Sequence, residues 1–259
     1  MKFCLAALLF ITTFCFGQSW EADVMIGAAG YKGDLTQRHF MLRTLKPGAA
    51  VNLKYNFDNV VLLRAGIFYG QVEGKDKYNE RPDLKDRNLN FKSNIIEFSL
   101  CAEYNLLEPE IFFAYPYIFG GVGIFHFDPF TYDQDNKKTF LRPLGTEGQG
   151  LAAYPKRKTY STTQFCLPFG AGWKWSFSER YDLVYEIGYR ILFTDYLDDV
   201  SKTYVDQQAL LAARGPKAVE LANRSPHPRG AGDIRGNSNV RDWYFFNGIK
   251  LSMHLGKEL

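Results

Sequence analysis

Residues 182–193 follow a period of two, with an apolar residue at every second position. Leu183, Tyr185, Ile187, Tyr189, Ile191 and Phe193 stand on one face, and Val184, Glu186, Gly188, Arg190 and Leu192 on the other. A period of two is that of a strand whose faces meet different surroundings. The same rhythm recurs at residues 20–30, 48–57, 60–70, 92–106, 114–127, 160–176 and 242–255. Short connections (58–59, 107–110 and 178–181) alternate with long ones (31–47, 71–91, 128–159 and 194–241). Strands of roughly ten residues, joined by short turns on one side and long loops on the other, are how a bacterial outer-membrane barrel is written. The pattern predicts an all-β fold: an eight-stranded antiparallel transmembrane β-barrel with short periplasmic turns and four long extracellular loops. An even strand count puts both ends of the barrel on the periplasmic side.

The register is firmly set. Slipping the segment 182–193 by one residue would turn Glu186 and Arg190 into lipid. An arginine at the bilayer midplane costs about 2–4 kcal/mol. The same rule turns Trp20, Val24, Ile26, Val51, Leu53, Phe98, Leu100, Phe165, Ile249 and Leu251 outward. Residues 114–127 resist the rule, because Tyr117, Phe119 and Phe125 oppose Ile118, Val122 and Ile124. Hydrophobic residues are 46% of the chain, yet no stretch reaches the ~18 apolar residues of a membrane helix. Aromatics include 16 Tyr and 22 Phe. Trp173, Trp175 and Tyr181 flank a short turn, where an interfacial girdle belongs.

The start reads as a secretory signal, residues 1–17, with Lys2 ahead of an apolar run from Phe3 to Phe16. Cys15 follows Phe14, which argues against a lipid anchor. The remainder, residues 18–259, reads as one barrel domain. It retains Cys101 and Cys166, both on the inward face, as one bridge or as two free thiols. Two cysteines make neither a disulfide framework nor a metal-ligand spacing. A net charge of +3 is too small to imply nucleic acid.

The inward face carries acids and bases in balance: Glu21, Asp23, Glu97, Glu103 and Glu186 against Lys54, Arg64, Lys174, Arg190 and Lys250. An eight-stranded barrel is only wide enough for side chains to fill it. Lone buried charges are costly, so these are expected to pair into a closed plug, with a selective pore as the alternative.

Catalytic candidates are sparse. His39 lies near Asp34, His126 beside Asp128, His227 in a proline-rich loop, and His254 inward near the periplasmic end. None sits in a nucleophile arrangement, so no enzyme and no cofactor is expected. The acids of residues 194–199 offer carboxylate oxygens for Ca²⁺, but without the glycine and spacing of an EF-hand they read as turn-capping side chains. Lys137, Lys138, Arg142, Lys156, Arg157 and Lys158 make the third long loop basic, suited to solvent or to anionic lipopolysaccharide. In the last loop Asp206 is placed to cap a helix at 207–214, and Pro216 to open a second at 217–223.

Several motifs resemble a known family. They are Glu186-Ile187-Gly188-Tyr189-Arg190, Phe193 through Ser201 (FTDYLDDVS), Arg235-Gly236-Asn237 before Asp242-Trp243-Tyr244-Phe245-Phe246, Tyr31-Lys32-Gly33-Asp34-Leu35, and residues 115–123. Together they resemble a family of Bacteroidetes outer-membrane barrels that includes the PorG-like subunits of the type IX secretion system. The resemblance implies a non-catalytic role in protein secretion and gliding, seating a periplasmic ring of a lipoprotein and its partner. Such a ring reaches only the short-turn end. Asp58, Asn59, Glu108, Glu110, Glu179 and Arg180 are the expected contacts there, with the tail 257–259. Membrane lipid and lipopolysaccharide are the other expected partners. A stand-alone adhesion or envelope barrel is the first alternative and a lipid-modifying enzyme the second.

Overall fold

The computed structural model describes residues 19–36 and 41–255. The predicted signal, His39 and the tail 257–259 lie outside the described residues. Nine strands are present among the described residues: β1 (Ser19–Lys32), β2 (Lys46–Asn56), β3 (Val61–Lys75), β4 (Asn90–Asn105), β5 (Ala114–Tyr132), β6 (Lys138–Phe140), β7 (Thr163–Ser176), β8 (Tyr181–Leu192) and β9 (Trp243–Leu255). Eight of them close a ring. Each of β1 to β5 pairs antiparallel with the next, β5 continues to β7, then to β8 and β9, and β9 returns to β1. β6 only extends β5 as a short outer ribbon. Closure leaves no free sheet edge in the barrel wall.

The outward face is apolar and bare. Val24 is 55% exposed, Ile26 67% and Phe165 68%. Leu53, Phe98, Leu100 and Leu251 are exposed around the same wall. A continuous apolar surface of this extent calls for a non-aqueous neighbour. Aromatic rings gather at both ends of that wall. Trp20 meets Tyr55 edge-on at 5.1 Å and Trp173 lies 6.3 Å from Trp175 at the short-turn end, while Phe169 meets Trp243 at 6.2 Å toward the long loops.

β5, whose two faces the sequence left open, puts Tyr117, Phe119 and Phe125 inside and Ile118, Val122 and Ile124 outside. Glycines on neighbouring strands decide it. A Cβ on Gly172 would stand 2.4 Å from the Tyr117 ring, and one on Gly188 2.8 Å from the Phe119 ring. The rings lie in spaces that only glycine leaves.

The short turns are built by local side chains. Asn59 adopts φ 66° and its N–H donates to Asn56 Oδ1 at 2.7 Å, while Asp58 Oδ1 accepts the N–H of Val61 at 2.7 Å. Asparagine tolerates that left-handed conformation and caps its own turn. Ser178 Oγ accepts the N–H of Tyr181 at 3.0 Å in the last short turn.

Several boundaries differ from the sequence reading. β3 and β5 run past Gly70 and Phe127 into the long loops, reaching Lys75 and Tyr132. β7 begins at Thr163, not at Tyr160. Tyr160 instead stacks on Tyr196 at 4.7 Å and donates to Asp199 at 2.7 Å. Asp242 falls just before β9, where its carboxylate accepts the N–H of Leu197 at 2.9 Å. At β7 and β9 a long-range loop contact, invisible to periodicity, sets the strand end, while β3 and β5 are prolonged by continued pairing with β4 and β6. Phe245 follows the outward register, yet it is buried beside Tyr189 at 5.8 Å.

The long loops fold into a cap with its own core. Helices α2 (Gln207–Arg214) and α3 (Pro216–Ala222) form as expected: Asp206 Oδ1 accepts the N–H of Ala209 at 2.7 Å, and Gly215 breaks the two at φ 82°. Leu151, Val205, Leu210, Ala218 and Ala222 pack together beneath them. A further helix, α1 (Pro82–Arg87), opens on a proline in the second loop. A second cluster joins loop residues Leu35, Leu89, Leu141, Leu197 and Val200 to the bore residues Phe68, Phe125 and Phe246.

Candidate functional site: a sealed bore between a knotted cap and an open vestibule

The barrel wall brings all ten predicted inward charges into one interior. Lys54 and Lys250 are 0% exposed. Lys54 Nζ lies 3.0 Å from Asp23, 3.6 Å from Glu21 and 3.7 Å from Glu103. Lys174 approaches Glu103 at 3.3 Å, and Lys250 pairs with Glu186. Arg64 Nη1 bridges Glu103 at 2.8 Å and Glu186 at 2.7 Å. Arg190 grips Glu97 with two N–H groups at 2.9 and 3.1 Å, the fork geometry that suits a carboxylate.

Sequence periodicity missed the neutral members of this network. Tyr117 donates to Glu186 and Tyr244 donates to Glu97. Asn52 donates to Asp23, Asn105 accepts from Lys174 at 3.1 Å, and Asp182 pairs with His254 at 3.0 Å. The inward parity of these residues was legible, but their partners sit on strands far away in sequence. Each carboxylate of the central network meets at least one cation, which buried charges require. These buried, mutually paired side chains cross the bore, the arrangement expected of a plug. Cys101 and Cys166 are both buried in it as free thiols.

Outside the bore, the motifs Tyr31–Leu35, Thr194–Ser201, Arg235–Asn237 and Asp242 converge on one buried knot. Tyr31 Oη donates to Asp198 and lies 3.2 Å from Asp242 Oδ1. Asp34 accepts the N–H of Asn237 at 2.9 Å. Arg235 donates to Glu147 at 3.1 Å and to the Asp199 carbonyl at 2.7 Å. Arg87 forks onto Asp76 at 2.7 and 2.6 Å. Asp198 and Asp199 therefore serve protein donors: Asp198 accepts the N–H of Val200 at 2.8 Å, and Asp199 accepts from Thr146 and Tyr160. Among the described residues no group of three or more His, Cys, Asp or Glu is arranged to hold a metal ion. Burial pushes the carboxyls of Asp198 and Asp242 well above the usual range, with neighbouring acids adding to the rise. Burial takes Asp195 up to about 8 and Asp199 to about 6.

The basic third loop is partly internal. Arg157 donates to the carbonyls of Glu147 at 2.7 Å and Thr203 at 2.9 Å, and Arg142 to that of Tyr160 at 2.9 Å. Lys137, Lys138, Lys156 and Lys158 stay exposed.

Among the described residues no histidine completes a nucleophile relay. His126 is exposed on the outer wall, its Nδ1 3.0 Å from Thr163 Oγ1. Asp86 engages both Ser225 Oγ and His227 Nδ1 at 2.8 Å. The serine thus donates to the acid instead of to the imidazole, and no base is placed to activate it. His254 is held between Asp182 and Glu21.

The six residues named as partner contacts gather at the short-turn end. Asn59 Nδ2 donates to Glu110 at 2.9 Å, linking two turns. Asp58, Glu108, Glu110 and Glu179 are exposed there, and the Arg180 carbonyl accepts the N–H of His254 at 2.9 Å. Above them the mouth of the bore opens into a cavity of about 700 Å³.

A family model described as a domain of unknown function, DUF6089, matches residues 2–143, more than half of the chain. The chain belongs to the DUF6089 family. The matched part of this DUF6089 chain runs from the first barrel strand through β6. The motifs of residues 186–201 and 235–246 lie beyond it. No curated protein matches the sequence. Among solved structures the chain is similar to Neisserial surface protein A, at 9% identity over 92% of this chain and 98% of that one, with a TM-score of 0.45. It is also similar to a major outer-membrane protein of Thermus thermophilus, at 11% identity over 92% and 100%, with a TM-score of 0.44. A third is Ail, the attachment invasion locus protein of Yersinia pestis, at 9% identity over 93% and 100%, with a TM-score of 0.43. The architecture of the DUF6089 barrel is read from its own strand pairing.

Proposed function

We propose that this protein is an integral outer-membrane barrel and a non-catalytic subunit of the type IX secretion machinery, seating the periplasmic ring at the outer membrane. The observation that carries the reading is the filled bore beneath a bare apolar wall. A barrel whose bore is occupied by its own paired charges acts through its two ends. The wall suits lipid, because its outward residues at mid-height are predominantly apolar while the charges turn inward. Short turns and both described chain ends share one end, the periplasmic side of such a barrel. The secretion role itself rests on the family resemblance of the motifs at residues 31–35, 115–123, 186–201 and 235–246, of which Tyr31, Asp34, Asp198, Arg235 and Asp242 meet in the cap knot. Lipopolysaccharide is the partner proposed for the exposed lysines of the third loop.

The test is affinity purification of a tagged copy from crosslinked outer membranes, read by mass spectrometry. Recovery of the ring lipoprotein and its periplasmic partner supports the role. Recovery of the barrel alone from the outer-membrane fraction overturns it in favour of a stand-alone envelope or adhesion barrel. Recovery in the soluble fraction overturns the membrane reading altogether.

A further inference from the structure

On the outer wall β9 lies between β1 and β8, with Gly30 and Tyr189 opposite Phe245, and Lys32 and Ile191 opposite Trp243. All of these positions share the outward parity. Gly30 leaves room for the Phe245 ring to lie flat against the wall, since a Cβ there would stand 2.3 Å from it. Phe245 is therefore only 3% exposed on a face where Phe165 is 68% exposed. Beside the flattened ring a cleft of about 260 Å³ opens, lined by Lys32, Phe169, Tyr189, Trp243, Tyr244 and Phe245. The rings brace one another. Phe169 stacks on Tyr189 at 6.0 Å and meets Trp243 edge-on at 6.2 Å, and Tyr189 lies 5.8 Å from Phe245. The margin of the cleft toward the long loops is basic. Lys32 lines it, and Arg241, two residues before Trp243, is exposed and stands over the Phe193 ring at 5.5 Å. The neighbouring acids are turned into the cap: Asp34 and Asp242 accept the N–H groups of Asn237 and Leu197, each at 2.9 Å.

We propose that this cleft is a specific site for lipid A, with one acyl chain seated among the rings and a headgroup phosphate held by Lys32 and Arg241. Charge complementarity argues for the phosphate: two cations stand above an apolar slot, which matches a molecule anionic at one end and hydrocarbon at the other. Continuity argues for a membrane lipid. Below the cleft the same face of β9 carries the exposed Ile249 and Leu251, and Asn247 between them and Phe245 spends an N–H on the Ala28 carbonyl at 3.2 Å. Aromatic rings at this level belong to the headgroup boundary. Position argues for lipid A over a glycerophospholipid, because the cleft lies at the long-loop end, where the outer leaflet would be. The inference rests on the reading of this wall as membrane-embedded with its long loops outside, and its site is separate from the exposed lysines of the third loop.

The experiment titrates purified, delipidated barrel in nonionic micelles with bisphosphorylated lipid A, its dephosphorylated form and phosphatidylglycerol, counting bound lipid by native mass spectrometry. Lipid A is expected to bind at least about tenfold tighter than the dephosphorylated form, with the preference shrinking as salt rises. The double variant Lys32→Gln with Arg241→Gln is expected to lose most of that preference. Phe169→Ala, which removes one wall of the cleft, should weaken both forms of lipid A alike. Equal binding of lipid A and its dephosphorylated form, equal binding of phosphatidylglycerol, or a double variant that keeps the full preference overturns the proposal. The comparison of lipids on the unmodified barrel decides the matter even if the double variant fails to fold. A barrel recovered from the membrane fraction that does not discriminate overturns the site alone. Recovery from the soluble fraction overturns the membrane reading with it.

Discussion

Arg64 on β3 and Glu186 on β8 meet at 2.7 Å across the bore, although each strand stands four places from the other around the ring. This contact ties opposite walls together. Glu186 also receives Lys250 and Tyr117, so its removal takes a partner from two cations and a phenol. Breaking a buried pair from one side costs about 3–5 kcal/mol. Glu186→Leu is expected to lower stability by that amount in urea unfolding of the reconstituted barrel, followed by gel mobility. Glu179→Leu, on an exposed turn, should stay within about 0.5 kcal/mol. Equal effects would mean that the interior charges are not coupled.

The filled bore predicts a silent protein in planar bilayers. Purified barrel should show no sustained conductance across either polarity, and Arg64→Ala, which thins the plug at its centre, should show at most brief flickers. A stable open channel from the unmodified protein would contradict the sealed interior.

Cys101 and Cys166 report on the same seal from inside. Both thiols are free and buried on the bore side of β4 and β7. A charged maleimide should leave the folded barrel of residues 18–259 unlabelled and add two groups to it after unfolding in denaturant, as read by intact mass. Rapid labelling of the folded state would show that water reaches the bore.

The cap knot should respond to pH. Asp195 and Asp199 are raised by burial to about 8 and about 6, against an unfolded value near 3.9. Between about pH 4 and 8 the folded cap holds protons that the opened loops release, so cap stability falls as pH rises through this window and levels off above it. Amide exchange of Leu197 and Val200, corrected for intrinsic rates, should report tighter protection near about pH 5 than near about pH 8. Asp195→Asn should flatten the profile. Protection that increases with pH would reverse the assignment.

Some of the architecture was legible because membrane and bore sort residues so sharply. Period two identified the strands, the Glu186 and Arg190 positions fixed the register, and Asp206 and Pro216 marked the two cap helices. The ten bore charges were named from parity alone. What escaped was everything determined by neighbours on other strands. The facing of β5 depended on Gly172 and Gly188 making room for Tyr117 and Phe119. The start of β7 depended on Asp199 drawing Tyr160 into the cap. Helix α1 and the β6 ribbon lay inside segments whose polarity reads simply as loop.

The sequence by itself determined that this chain closes an eight-stranded barrel, with its charges inside and its apolar residues outside, because alternation is a local property and a one-residue slip is energetically forbidden. Only the tertiary structure decided that the charges interlock across the bore and that distant acidic and arginine motifs tie one knot. Pairing, stacking and cavity shape depend on which residues face each other across the closed ring, and that follows from strand stagger and loop packing, not from any local pattern.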